Sequence, residues 1–204
     1  VAWTVLPNSP GISGIAFGNG RFVAVSANHT ISVTTTGSNW TTQTPATGTG
    51  LSGVAFGNGL FVAVGNNYVI TSPDGVTWTA ATGFSNLNWT SVTYGTLSTG
   101  ATRFVAVSNT ANASSIMYSD SGLTWTTTLT GVTAANTWTG VTYGNGLYVA
   151  VASNAATTNI ETSSDGISWS AATGAAGTGL QAVAYALGTF VAVGTNFIET
   201  STRS

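Results

Sequence analysis

FVAV at residues 22–25 recurs as FVAV at 61–64, FVAV at 104–107, YVAV at 148–151 and FVAV at 190–193. The copies lie 39, 43, 44 and 42 residues apart, a period typical of repeats that each form one small β-sheet. An aromatic residue followed by valine, alanine and valine is apolar on both faces, as expected of a strand buried between two packed sheets. The 204-residue chain therefore contains five copies of one β unit.

Each copy has the same order of strands and turns. A short apolar stretch and, in most copies, a glycine turn precede the tetrad, and Asn-Gly between two strand-like runs is a strong hairpin signal. A polar loop, a third strand, a compact turn and a fourth strand led by tryptophan follow, as in WTAAT at 78–82. With no helical periodicity, the sequence predicts an all-β, five-bladed β-propeller with four antiparallel strands per blade. In this single predicted domain the blades cover residues 12–43, 51–82, 89–129, 138–173, and 180–204 together with 1–6.

The two ends of the chain divide one copy of the turn before the fourth strand. STRS at 201–204 joined to VAW at 1–3 has the seven-residue length of the four undivided turns. We therefore predict that VAWTVL at 1–6 forms the fourth strand of the last blade and closes the ring. Closure would remove a sheet edge that otherwise invites aggregation. The start at Val1, without a signal-like segment, is expected of a processed chain or of a piece of a longer one.

The turn before the fourth strand carries a family resemblance. It reads SPDGVTW at 72–78 and SSDGISW at 163–169. These segments resemble the Asp-box of the bacterial neuraminidase-type repeat, Ser/Thr-x-Asp-x-Gly-x-Thr-Trp, with one residue fewer. The resemblance implies a propeller. In five-bladed form the chain is also similar to the tachylectin-type lectins, which implies sugar binding.

We assign the residues of this turn a structural role. Thr36 and Ser121 replace the aspartate in two copies, which is not expected of a catalytic acid. The aspartate can accept hydrogen bonds from backbone N–H groups, the glycine can adopt a positive φ, and the tryptophan can pack between blades. The turn residues predicted to act in this way are Asp74, Gly75, Trp78, Gly122, Trp125, Asp165, Gly166, Trp169, Trp40 and Trp3.

The composition excludes several classes of partner. Only 4% of residues are charged, there is no lysine, and the three arginines lie far apart at positions 21, 103 and 203. We therefore predict no nucleic-acid binding, which needs a concentrated basic surface. No apolar run approaches the length of a membrane helix, so we predict no membrane insertion. Zero cysteines exclude disulfides and sulfur-type zinc sites.

Candidate catalytic residues are few. A neuraminidase resemblance implies three arginines that converge on a carboxylate, but Arg203 lies in an outer turn, away from Arg21 and Arg103. Glycoside hydrolysis needs two carboxylates roughly 5 to 9.5 Å apart. Repeat positions instead spread the five carboxylates around the ring: Asp74, Asp120, Glu161, Asp165 and Glu199. His29 has no partner fixed by a motif, and we predict no enzyme activity, no cofactor and no metal site.

The loops between the second and third strands are the candidate binding surface, because they vary on a repeated scaffold. They are rich in asparagine, whose amide can donate to and accept from hydroxyls, and aromatic faces nearby suit sugar rings. We predict binding of a glycan or other neutral polar ligand by Asn28, His29, Asn67, Tyr68, Trp89, Asn112, Trp138, Asn159 and Phe197. Alternatively, the asparagines form turns, and the two tryptophans pack where Ile12, Leu51 and Leu180 stand in other copies.

Two functions fit these features. The first is a non-enzymatic recognition module of lectin type on an extracellular, cell or virion surface, such as that of a phage. The second is a structural decoration, fibre or appendage subunit whose partners are other subunits of a surface or virion assembly. Scarce charge fits the second function at least as well, because weak self-repulsion permits dense assembly.

Overall fold

The computed structural model describes residues 11–43, 45, 49–127, 129–134, 136–154, 159–172 and 178–202. Within these ranges the chain is all-β, with eighteen strands in five antiparallel sheets. Each sheet consists of strands that are consecutive in the sequence, and we number the sheets 1 to 5 in chain order. The all-β prediction is confirmed, and each repeat corresponds to one sheet.

The strands of each sheet follow the repeat. Sheet 1 comprises β1 (Ile12–Gly18), β2 (Arg21–Ser26), β3 (Ile31–Thr34) and β4 (Thr41–Gln43). Sheet 2 comprises β5 (Thr49–Gly57), β6 (Leu60–Asn66), β7 (Tyr68–Ser72) and β8 (Thr79–Ala80). Sheet 3 comprises β9 (Trp89–Thr96), β10 (Thr102–Ser108) and β11 (Ile116–Ser119). Sheet 4 comprises β12 (Trp138–Gly144), β13 (Leu147–Ala152), β14 (Ile160–Ser163) and β15 (Ser170–Ala171). Sheet 5 comprises β16 (Leu180–Ala186), β17 (Thr189–Gly194) and β18 (Ile198–Thr202).

Two of the sheets have three strands instead of the predicted four. In sheet 3 the place of the fourth strand is marked by a single antiparallel bridge between Tyr118 and Thr126. In sheet 5 the predicted fourth strand is the segment 1–6, which lies outside the described residues, as does Trp3. The described part of sheet 5 ends at β18.

The hairpin between the first two strands of a sheet is set by its two turn residues. In sheet 1, Asn19 and Gly20 both have positive φ, 46° and 72°, as a two-residue type I′ turn requires. Asn-Gly takes the same form in sheets 2 and 4. In sheet 5 the first turn residue is Leu187, which has φ 52° and is fully exposed.

The core consists of apolar clusters between consecutive sheets. The second strand of sheet 2 contributes side chains to the clusters on both faces of that sheet. Val62 and Val64 lie in the cluster shared with sheet 3, and Ala63 lies in the cluster shared with sheet 1. Four clusters are present among the described residues, at the junctions of sheets 1 and 2, 2 and 3, 3 and 4, and 4 and 5. By contrast, Phe17 on sheet 1 and Ile198 on sheet 5 are 59% and 69% exposed.

At each of these four junctions an aromatic ring of one sheet packs on a glycine of the preceding sheet. A Cβ added to the glycine would lie only 2.0–2.4 Å from the nearest ring atom, so no other residue fits without rearrangement. The pairs are Gly18 with Phe56, Gly57 with Tyr94, Gly95 with Tyr143 and Gly144 with Tyr185.

The first strands of all five sheets line one cavity of about 270 Å³. Hydroxyl groups beside it connect neighbouring sheets. The Ser13 hydroxyl donates to the carbonyl oxygen of Leu51 at 2.6 Å, and that of Thr139 donates to the carbonyl oxygen of Leu180 at 2.8 Å. Thr90 makes the same contact with Trp138 at 2.9 Å. Much of the polar lining is thus used to hold the sheets together.

Candidate functional site

Every sheet has two ends with different connections. The hairpin turns between first and second strands lie at one end, which we call the turn end, as do the turns between third and fourth strands in sheets 1, 2 and 4. The loops between second and third strands, and the links between sheets, lie at the other, which we call the loop end. The residues predicted to bind a ligand come from the loop end.

Trp89 and Trp138 do not belong to a ligand surface, and this part of the prediction is corrected. Both side chains are completely buried, each in an apolar cluster between two sheets. Their indole N–H groups are also used internally: Trp89 donates to the carbonyl oxygen of Ser85 and Trp138 to the hydroxyl of Ser115, both at 3.1 Å. Packing between sheets, the alternative role, explains both residues.

Three further predicted residues have local structural contacts. Asn159 is 2% exposed, and its carbonyl oxygen accepts a hydrogen bond from the N–H of Ala152. The ring of Phe197 lies over Gly194, where an added Cβ would be 2.5 Å from it. Asn112 is exposed, but its amide oxygen accepts from the N–H of Ser114 at 2.7 Å and closes its own turn. Burial removes Asn159 from the candidate site, and the other two are better explained by their loops.

The remaining four residues lie on the loops of sheets 1 and 2, which pack against each other. We call Asn28, His29, Asn67 and Tyr68 the loop-end patch. Asn28 and Asn67 are exposed, whereas His29 and Tyr68 are half-buried. His29 and Asn67 have φ values of 62° and 57°, so each loop turns sharply at the residue it presents.

The loop of sheet 1 is held in place by Ser26. The Ser26 hydroxyl bonds to that of Thr30 at 2.7 Å and accepts from the N–H of Asn28 at 3.2 Å. In sheet 2, the N–H of Asn67 donates to the carbonyl oxygen of Leu87 at 2.9 Å. Tyr68 packs against the cluster between sheets 1 and 2, and partial burial raises the pKa of its phenol. The patch therefore presents two amides, an imidazole and a neutral phenol on short, fixed loops.

At the turn end, Asp74 closes its own turn. Its Oδ1 accepts from the N–H groups of Val76 and Thr77 at 2.9 and 2.8 Å, and from the Ser72 hydroxyl at 2.9 Å. The hydrogen bonds from Thr77 and Val76 lower the pKa of the Asp74 carboxyl to about 2. Asp165 makes equivalent contacts with Ile167 and Ser168, both at 2.8 Å. An ionised carboxylate used in this way is not available as an acid.

The tryptophans that follow these turns pack on the preceding sheet. Trp125 and Trp169 are 2% and 4% exposed and lie in the clusters with sheets 2 and 3, respectively. Trp78 packs against the cluster with sheet 1, and its indole N–H donates to the carbonyl oxygen of Gly75 at 3.1 Å. Trp40 is half-buried and makes the same hydrogen bond with Gly37.

Arg103 forms the one ion pair within the described ranges, a contact that sequence reasoning missed. Its Nε and one terminal nitrogen donate to the two carboxylate oxygens of Asp120 at 2.6 and 3.1 Å. The other terminal nitrogen donates to the carbonyl oxygen of Asp165 in sheet 4 at 2.6 Å, and the guanidinium lies 4.4 Å from the ring centroid of Tyr118. Arg103 therefore joins sheets 3 and 4, and each of its three nitrogens already makes a hydrogen bond within these two sheets.

Glu161 is completely buried at the junction of sheets 3 and 4. Its Oε1 accepts from the N–H of Thr133 at 2.8 Å, while Oε2 has no hydrogen-bond partner in the part of the chain that the structure describes. Burial raises the pKa of the carboxyl. Among the residues that the structure describes, no cluster of three metal-ligating side chains occurs. The same residues include no helix long and apolar enough to span a membrane.

Comparisons with known proteins concern the fold alone. No family model and no curated protein matches the chain. The extracellular domain of a hybrid two-component system from B. thetaiotaomicron is similar over 97% of this chain, with a TM-score of 0.67 and 11% identity. YCF48 bound to D1 peptide is similar over 96%, with a TM-score of 0.69 and 16% identity. Both neighbours have propeller-like folds. The fold of this chain is therefore β-propeller-like.

A computationally designed protein, Ika8, is also similar over 95% of the chain, with a TM-score of 0.59 and 9% identity. The chain spans 28% of the two-component system protein, 66% of YCF48 and 71% of Ika8. At these identities the likeness carries no information about ligands.

Proposed function

We propose that the chain is a non-enzymatic recognition module that binds a glycan through the loop-end patch, on an extracellular, cell or virion surface. The observation that carries this proposal is that two exposed amides, Asn28 and Asn67, lie on fixed loops of two sheets that pack against each other. An amide offers both a donor and an acceptor to a hydroxyl, and fixed loops lose little conformational entropy on binding.

The charged groups support a binding role over a catalytic one. Asp74 and Asp165 are engaged in their own turns, Asp120 is paired with Arg103, and Glu161 is buried. None of these carboxylates lies in the loop-end patch. The patch therefore suits a neutral, hydroxyl-bearing ligand, and Tyr68 beside it offers part of an aromatic face.

A glycan array on the purified chain, followed by calorimetry with the best ligand, tests this function. We expect Asn28→Ala and Asn67→Ala each to weaken binding by about tenfold, because each removes hydrogen bonds to the ligand. Asn112→Ala is the matched control, since this exposed asparagine lies on the loop of sheet 3 and should leave binding unchanged. The proposal fails if no glycan binds reproducibly, or if the Asn28→Ala/Asn67→Ala double variant binds as tightly as the parent.

We further propose that the five sheets are the blades of a closed five-bladed propeller, with residues 1–6 as the last strand of the fifth blade. The shared cavity lined by all five first strands supports a ring. A second cavity of about 280 Å³ lies between sheets 4 and 5, lined by Val149, Ile160 and Phe190 among others. At the three preceding junctions Trp78, Trp125 and Trp169 provide the packing. Because a cavity of about 150 Å³ accommodates benzene, this one has room for an indole, and Trp3 holds the matching sequence position.

Deletion of residues 1–6 tests the closure. Loss of a buried tryptophan costs about 3–5 kcal/mol, which in a chain of this size lowers the melting temperature by roughly 6–20 °C. The peptide VAWTVL added to the shortened chain should restore part of this loss, whereas VAATVL should not. An unchanged melting temperature after the deletion would refute the closure.

The second candidate function, a structural subunit, is favoured by the apolar side chains of sheets 1 and 5. Ile15 and Phe17 on sheet 1, and Leu187 and Ile198 on sheet 5, are each more than half exposed. If sheets 5 and 1 do not close the ring over them, these residues would contact neighbouring subunits in an assembly. Light scattering and electron microscopy distinguish the two functions: an ordered particle or filament without glycan binding supports the structural subunit, and a monomer that binds glycan supports the recognition module.

A further inference from the structure

Arg21 and Arg103 occupy the same position of the repeat, in sheets 1 and 3. Arg21 pairs with Gly18 across its hairpin, and Arg103 pairs with Gly95. Both side chains run beneath the turn of the next sheet. The Cδ of Arg21 lies 3.4 Å from the point where a Cβ on Gly75 would be, and the Cδ of Arg103 lies 3.2 Å from the equivalent point on Gly166. The two guanidinium groups therefore approach corresponding sites at the turn end.

The site in sheet 3 shows what satisfies this guanidinium. Arg103 is held by both carboxylate oxygens of Asp120 and lies against the ring of Tyr118. In the register of sheet 1, Val33 takes the position of Tyr118 and Thr35 takes that of Asp120. Sheet 1 thus has the arginine but lacks both the carboxylate and the aromatic ring that accompany it in sheet 3.

The smaller side chains leave a cavity of about 180 Å³ beside Arg21. The Nε of Arg21 is buried and has no hydrogen-bond partner in the described ranges of the chain. No carboxylate is among the residues that line the cavity, which are Arg21, Val33, Thr34, Thr35, Asn39 and Thr41. A buried donor without an acceptor destabilises the fold, so a ligand that supplied the missing acceptor would remove that penalty.

We propose that this cavity binds a carboxylate attached to a six-membered ring. The planar guanidinium forms paired hydrogen bonds with a carboxylate, as Arg103 does with Asp120. The cavity exceeds the roughly 150 Å³ that accommodates benzene, so a ring fits where sheet 3 has Tyr118. Val33 provides an apolar wall for the ring, and Thr35, Thr41 and Asn39 provide hydroxyl and amide groups. The site lies at the turn end, opposite the loop-end patch, and does not depend on glycan binding there.

Two kinds of molecule share this chemistry: aromatic acids and sugar acids. Benzoate and glucuronate are the probes, with benzyl alcohol and glucose as uncharged controls. The chain has only three arginines, so the Nε–H signals in a nitrogen-15 NMR spectrum are few. We expect a saturable shift of the Arg21 signal with at least one of the two acids and no shift of the Arg103 signal. Whichever acid binds more tightly identifies the ring.

Two variants make the test specific. Arg21→Leu should weaken binding at least tenfold, and it should fold because Leu60 and Leu147 hold the same repeat position in sheets 2 and 4. Thr35→Asp gives sheet 1 its own carboxylate at the position that Asp120 holds in sheet 3. We therefore expect this variant to abolish ligand binding and to raise the melting temperature. Arg103→Leu is the control and should bind as the parent does.

Three results would overturn the assignment. The first is the absence of a saturable Arg21 shift with either acid. The second is binding that survives Arg21→Leu or Thr35→Asp. The third is binding of benzyl alcohol, glucose or sulfate as tight as that of the acids, because the site would then not select a planar carboxylate.

Discussion

Replacement of Gly95 by alanine tests whether the glycine–aromatic contacts hold the sheets together. Gly95 does not have a positive φ, so its lack of a side chain matters for packing and not for backbone conformation. An added Cβ would lie 2.4, 2.5 and 2.7 Å from three ring atoms of Tyr143. Ordinary contacts begin at 3.4 Å, so the ring or the strand must move by about 1 Å. Overpacking of this kind costs about 1–3 kcal/mol, and we expect Gly95→Ala to destabilise the chain by about 2–3 kcal/mol.

Urea denaturation and thermal melting measure this effect. In a chain of this size the loss lowers the melting temperature by roughly 5–10 °C. Gly11→Ala is the matched control, because an added Cβ there meets nothing within 4 Å; reduced freedom of the unfolded chain should make that variant neutral or slightly more stable. In a Tyr143→Ala background, Gly95→Ala should cost less than about 0.5 kcal/mol, giving a coupling energy near 2 kcal/mol. Equal melting temperatures of the two alanine variants, or an unchanged cost without the Tyr143 ring, would refute the reasoning.

Two further predictions concern carboxyl groups with opposite pKa shifts. Burial raises the pKa of Glu161 above its ordinary value of 4.5. Above pH 4.5 the folded chain therefore retains a proton that the unfolded chain releases. The free energy of unfolding then falls with rising pH, by up to about 1.4 kcal/mol per pH unit. Glu161→Gln should therefore match the parent at pH 4 and exceed it in urea denaturation at pH 8, and an equal difference at both pH values would contradict this. The pKa of Asp74 is lowered to about 2 by the N–H groups of Thr77 and Val76, so its contribution is present above pH 3.8 and lost as the pH falls towards 2. Asp74→Asn should destabilise by less than about 1 kcal/mol at pH 7, since the group is exposed, and by still less near pH 2; a large loss at pH 7 would show a role beyond the turn.

The features that could be predicted from the sequence are local ones. The strand pattern around each tetrad and the Asn-Gly turns, such as Asn19–Gly20, depend on residues within a few positions of one another. The same holds for Asp74, whose partners Ser72, Val76 and Thr77 all lie within three residues. A repeat reinforces such signals because each copy shows the same turn chemistry again.

The features that could not be predicted depend on contacts between sheets. Whether Trp89 faces a ligand or the core is decided by sheets 2 and 3 together, and nothing in the first strand itself distinguishes these outcomes. Arg103 contacts Asp165 of sheet 4, 62 residues away, and Glu161 contacts Thr133 in the link between sheets, 28 residues away. The Arg21 cavity could not be predicted either, because it follows from the strand register, which aligns Val33 and Thr35 with Tyr118 and Asp120.

Sheet 5 differs from the other sheets on the side that faces the next sheet of the repeat. Gln181 stands where sheets 1 to 4 have Ser13, Ser52, Thr90 and Thr139, so the short hydroxyl contact to a neighbouring carbonyl is lost. Ala186 stands where the others have the glycine that receives an aromatic ring, and a Cβ at this position interferes with such packing. Thr189 replaces the arginine or leucine that runs beneath the next turn. All three changes weaken the same contact, so sheets 5 and 1 cannot join as the other sheets do. The closed ring that we propose would therefore need a different kind of contact between sheets 5 and 1, and the cavity between sheets 4 and 5 would hold the indole of Trp3.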